Sequence, residues 1–138
     1  MTTVHVKDRK ETQLLFVTQA QELQVRVIKY SMNEKRIPKA WRFMVSHDLI
    51  QKTYEFMDDI IAAEQTYPTD KESANLRIEY LKKSLTELKQ IEQRLLSFTK
   101  LIDTVKFDSL GAISELIVKE ISSLKSMQER TKVLRDKF

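Results

Sequence analysis

A chain of 138 residues with a single glycine, Gly111, and two prolines, Pro38 and Pro68, has almost none of the residues from which tight turns are made. Glycine and proline ordinarily supply roughly 7% and 5% of a sequence, and β-hairpins depend on glycine for positive φ. A turn-rich all-β fold is therefore excluded. So is a glycine-rich phosphate loop, which needs several glycines at fixed spacing. Long helices with few connections remain. There is no cysteine, which removes disulfides, thiolate zinc sites and cysteine nucleophiles. With 41% hydrophobic residues in periodic order, the chain can build a core despite being 32% charged. No apolar run approaches the roughly 20 residues of a membrane span or forms a signal-peptide core. The expectation is a cytoplasmic protein without a membrane partner.

Four segments repeat apolar residues at three- and four-residue steps, as one face of a helix requires. The first, about 9–32, carries Phe16, Ala20, Leu23, Val27 and Tyr30. Ile37-Pro38 breaks the chain, because proline disfavours helix before it and suits the first turn after it. The second segment, about 40–66, carries Val45, Leu49, Phe56, Ile60 and Ala63, with Trp41 and Met44 widening the stripe. Tyr67-Pro68-Thr69-Asp70 reads as a turn, and Thr69 and Glu72 have capping-box spacing. The third, about 70–100, carries Ile78, Leu81, Leu85, Leu88, Leu95 and Phe98, with Ile91 covering the place where Glu92 interrupts the row. The fourth is expected over 104–137. Asp103 is preferred to Asp108 as its cap, because Phe107 then joins the face of Leu110, Ile113, Ile117, Leu124, Thr131, Leu134 and Phe138. Gly111 then falls inside a helix at a cost of about 1 kcal/mol relative to alanine, which close approach of a neighbouring helix would explain. The pattern predicts an all-α fold, an up-down-up-down antiparallel four-helix bundle forming a single domain over 1–138.

The side chains offer little chemistry. Two histidines, neither in a Glu-x-x-His pattern, do not make a metal bundle, and no metal or other cofactor is expected. Glu55, Asp58 and Asp59 read as a solvated acidic face. Arg42 and His47 stand as Arg-x-x-x-x-His, which is similar to the motif of HEPN-type ribonucleases, where histidine could act as general base and arginine could stabilise phosphorane charge. In a regular α-helix a spacing of five leaves the two on neighbouring faces. Both then read as surface residues, and no catalytic residue is expected.

Positive charge is clustered. Arg26, Lys29, Lys35, Arg36, Lys39 and Arg42 face only Glu34 within that stretch, and Lys125, Arg130, Lys132, Arg135 and Lys137 outnumber Glu129 and Asp136. The net balance is 24 basic against 20 acidic residues. The first connection and the end of the fourth helix are expected at the same end of the bundle. Lys35, Arg36, Lys39 and Arg42 would there join Arg130, Lys132 and Arg135 in one basic surface, able to contact phosphates without reading bases. The alternative is a solvated loop and terminus.

The stretch Lys35-Arg36-Ile37-Pro38-Lys39-Ala40-Trp41-Arg42-Phe43 resembles the Phe/Ile-Pro-Lys…Arg-Phe/Tyr signature of a family of small four-helix bundles. Leu76-Arg77, Tyr80-Leu81-Lys82 and Leu85 extend the likeness, as do Leu101-Ile102-Asp103 and Phe107. The family comprises the accessory variability determinants (Avd) of diversity-generating retroelements and the proteins encoded in intervening sequences of bacterial large-subunit ribosomal RNA genes. In place of its Gly-Arg-Met-Leu-Gly-Gly-like stretch this chain has Ile121-Ser122-Ser123-Leu124-Lys125-Ser126, whose small residues keep close helix approach open. The resemblance implies a homopentameric barrel. It also implies a non-catalytic accessory that binds reverse transcriptase and RNA or a DNA/RNA hybrid in support of mutagenic cDNA synthesis. Arg36, Lys39 and Arg42 would contact phosphate or partner, and Pro38 would fix the entry to the second helix. The intervening-sequence members imply the alternative, a structural or protein-interaction module with no nucleic-acid role.

Overall fold

In a computed structural model the backbone of residues 2–138 and the side chains of residues 15–138 are described. The described backbone is helical and contains no strand. Helix α1 is Thr2–Ser31, beginning before the expected residue 9. Helix α2, Lys39–Trp41, a π-helical turn, Arg42–Ser46, and helix α3, His47–Gln65, follow without a break and form a second rod. Helix α4 is Lys71–Leu101, and a 3₁₀ turn, Phe107–Leu110, leads into α5, Gly111–Asp136. Helix α1 packs on α3 and α5, and α4 packs on the same two, so that α1 lies diagonal to α4 and α3 to α5. Short connections between long neighbours impose the antiparallel order.

The expected apolar faces are the core. Phe16, Ala20, Leu23, Val27 and Tyr30 are buried, as are Leu49, Phe56, Ile60 and Ala63 of the second rod. From α4 come Ile78, Leu81, Leu88, Ile91, Leu95 and Phe98, and from α5 Ile113, Ile117 and Leu124. Each of the larger aliphatic and phenylalanine side chains contributes about 1.5–3 kcal/mol by leaving water. Ile37, Ile102 and Val105, also buried, come instead from the first and third connections. They close one end of the core, and no helical period marks them.

Several details depart from the expectation. Met44 is exposed rather than part of the stripe, because the π turn inserts a residue and brings Ser46 inward; its hydroxyl donates to the Ser31 carbonyl at 2.7 Å. Asp70, not Thr69, caps α4: its carboxylate accepts the Ser73 N–H at 2.8 Å, while Ser73 Oγ accepts the Asp70 N–H at 3.1 Å. The Ser73 N–H and the Ser73 hydroxyl, both donating to the carboxylate, hold the Asp70 carboxyl below its usual pKa. Asp103 does not open the last helix. Residues 102–106 form a connection, and Phe107 and Phe138 are exposed. Gly111 is the first residue of α5, at φ −52° and ψ −50°, with open space where a Cβ would stand. No close approach requires it there. Replacing Gly111 with alanine is therefore expected to raise stability by about 0.5–1 kcal/mol, read as a shift of the urea midpoint at constant slope.

The polarity of the rods fixes which segments share an end. Thr104 Oγ1 donates to the Arg36 carbonyl, and the Tyr30 and Ser109 hydroxyls are hydrogen-bonded at 2.6 Å, so the first and third connections meet. At the other end Arg135 Nη1 donates to Asn75 Oδ1 at 3.1 Å, setting the close of α5 beside the start of α4. Arg130, Lys132 and Arg135 therefore do not share an end with Lys35, Arg36, Lys39 and Arg42. An even number of antiparallel helices brings the chain back to the end at which it began, and the first connection is at the opposite one.

Candidate nucleic-acid interface

The first connection is held firmly enough to present its charges. Asn33 Oδ1 accepts the backbone N–H groups of Lys35 at 3.0 Å and Arg36 at 3.1 Å, closing an Asx-type turn. The Ile37 N–H reaches the Asn33 carbonyl at 2.8 Å, and the Ile37 side chain is fully buried. Pro38 follows at φ −57° and ψ 150°, extended and ready to start α2. Between these anchors Lys35 points into solvent.

The other three basic residues divide between two sides of the bundle. The Arg36 guanidinium lies 4.6 Å from the centre of the Tyr30 ring, a cation–π contact that fixes it on the α1/α5 side. There it lines a broad groove of about 870 Å³ with Arg26, Lys29 and Asn33. Lys39 and Arg42 instead line a groove of about 480 Å³ with Met32, Phe43, His47 and Ile50. Glu34, itself exposed, stands 3.7 Å from the guanidinium of Arg42, whose side chain is largely covered.

At the far end, Lys132 is 3.5 Å from Glu129, and Arg135 is shared between Asn75 and Asp136. Arg130 is exposed beside Ser122 and Ser126. These cations lie at the end of the bundle opposite the first connection.

The π turn alters the relation of Arg42 to His47. The His47 N–H bonds to the Arg42 carbonyl, an i to i+5 step, and both side chains line the same groove rather than neighbouring faces. The rest of that groove is apolar or cationic.

Sequence reasoning missed Phe43, which is 83% exposed at the mouth of this groove. It also underrated Arg26 and Lys29, which Tyr30 and Arg36 bring into the broad groove. The acidic face is not wholly solvated either. Glu55 and Asp58 are exposed, but Asp59 is half-buried against Glu87 of α4. Burial, a hydrogen bond to Asp59 and the charges of Asp59 and Glu55 push Glu87 up to about 8, against an opposing pull from Lys52.

Two ionisable groups lie deeper. Arg77 is buried, with Nη2 donating to Met127 Sδ at 3.4 Å and Nε unpartnered; burial lowers its pKa and the Glu64 charge raises it. Glu120 is fully buried on α5, neither carboxyl oxygen has a partner, and burial pushes its pKa up to about 8. Its position between Ile117 and Leu124 on the apolar face was legible from spacing, though its residue type argues for the surface. No cluster suited to a metal ion occurs among the described residues, and no described helix is long and apolar enough to cross a membrane. No family model, curated protein or solved structure matches the chain.

Proposed function

We propose that this protein is a non-catalytic accessory that binds nucleic acid and a reverse transcriptase, supporting mutagenic cDNA synthesis in a diversity-generating retroelement. The observation that carries the reading is the first connection. Lys35 and Arg36 sit on an internally bonded turn that Ile37 anchors in the core, and Lys39 and Arg42 follow at the opening of the second rod. A fixed turn bearing cations loses little entropy when phosphates bind, so its charge serves affinity without base specificity. The family signature covers the same residues. The assembly proposed with it is a homopentameric ring, expected to give a light-scattering mass that is a multiple of five chains; a monomer would oppose it.

The test is fluorescence anisotropy with a labelled single-stranded RNA and an RNA/DNA hybrid at rising salt. Affinity is expected to fall steeply, and the triple change Arg36→Glu, Lys39→Glu and Arg42→Glu is expected to lower it at least a hundredfold at low salt. Binding that ignores both salt and these charges defeats the reading.

A second reading, a helical interaction module with no nucleic-acid role, draws support from the division of the basic residues between two sides and two ends. It expects a co-purifying protein partner and free RNA at low salt.

A further inference from the structure

The second rod carries a mostly apolar outer row that borders its core face and shares Met57 with the core. Phe43, His47, Ile50, Tyr54, Met57 and Ile61 follow one another at steps of four, three, four, three and four. That is the spacing of a coiled-coil seam. Phe43, His47 and Ile50 line one groove, and Phe43, Tyr54 and Ile61 are 83%, 57% and 41% exposed, while Met57 is buried in the core beside them. The core-facing row of the same rod, Leu49, Thr53, Phe56, Ile60 and Ala63, is fully covered.

We infer that this outer seam packs antiparallel against the same seam of a second copy of the chain, about a two-fold axis beside Lys52. The spacing reads the same in both directions. Antiparallel copies therefore meet as Phe43 with Ile61, His47 with Met57 and Ile50 with Tyr54, the mixed layers such a seam needs. Charge selects this direction over the parallel one. The rod opens with Lys39 and Arg42 and closes with Asp58 and Glu64, Asp59 being turned toward Glu87 of α4. Antiparallel pairing sets the basic opening against the acidic close, whereas parallel pairing stacks acid on acid. The contact is two-fold and is separate from any contact that closes a ring of five.

The chain has no cysteine, so introduced ones report proximity directly. Met44, Gln51 and Asp58 flank the seam on one side and are exposed, so replacing them leaves the core intact. In nucleic-acid-free protein, Gln51→Cys alone is expected to oxidise to a covalent dimer. Met44→Cys and Asp58→Cys should cross-link when mixed and not when each is alone. Adding Tyr54→Lys to Gln51→Cys should slow cross-linking at least tenfold. Self-linking of Met44→Cys at the rate of the mixture means parallel pairing and overturns the inference. So does a Gln51→Cys protein that stays uncoupled, or one whose coupling ignores Tyr54→Lys.

Discussion

Glu120→Gln is expected to raise stability by about 3 kcal/mol at pH 7 and to remove most of the pH dependence of folding between about pH 4.5 and 8. The folded-state pKa of Glu120, about 8, lies above the ordinary 4.5. A group whose folded pKa is raised contributes stability that is fully present below the unfolded value and is lost as pH rises through the folded one. At pH 7 the folded protein must hold a proton that the unfolded chain releases, which at ~1.4 kcal/mol per pH unit costs about 3 kcal/mol. Glutamine keeps the size of the side chain and carries no ionisable proton. Glu120→Leu should gain more, since it also removes buried polar atoms that have no partner. Glu87 titrates in the same window but is less buried and better screened, so a smaller slope should survive in the Glu120→Gln protein. Urea unfolding at pH 5, 7 and 9 measures both. A wild-type protein as stable at pH 9 as at pH 5 would refute the account.

Ile37→Ala is expected to cost about 2–5 kcal/mol and to lower the melting temperature by on the order of 10–20 °C. A loop residue rarely carries such an effect. Ile37 does because it is fully buried among the ends of the rods, near Ile102 and Val105, which close the same end of the core. The Asn33 turn and the Thr104 bond to the Arg36 carbonyl tie that plug to the basic connection. Under the proposed function the same change should also weaken RNA binding while every charge is still present. A melting curve together with anisotropy checks the two effects. Ile37→Val, which removes one methylene, should cost only about 0.5–1.5 kcal/mol and leave binding near wild type. An Ile37→Ala protein with unchanged melting would mean that the connection is not seated as described.

The second prediction shows why the site was less legible than the fold. The cations Lys35, Arg36, Lys39 and Arg42 were visible as a cluster in the sequence, but a cluster in sequence is not a surface. Tyr30 draws Arg36 to one side of the bundle, while the opening of the second rod turns Lys39 and Arg42 to another. Arg130, Lys132 and Arg135 lie at the opposite end, because the fourth of four antiparallel helices returns to the end at which the first begins. Likewise, Arg42 and His47 were placed apart on the assumption of an unbroken α-helix, and a single π turn reunites them.

What the sequence determined by itself is the all-α class, the four rods and nearly all of the core. With one glycine there is little to make hairpins from, and amphipathic periods of three and four residues identify the buried face wherever the helix is regular. Tertiary structure decided everything that depends on where a period is interrupted or where two distant segments meet. The π turn at Arg42–Ser46 shifts the face of the second rod, and the cap of α4 falls at Asp70 because its carboxylate and Ser73 satisfy each other. Ile37, Ile102 and Val105 enter the core from segments without a period. Glu120 lies where the apolar spacing puts it, and only packing on all sides makes a carboxyl there hold its proton. Period is a local property of the chain, whereas register, burial and charge neighbourhood belong to the assembled bundle.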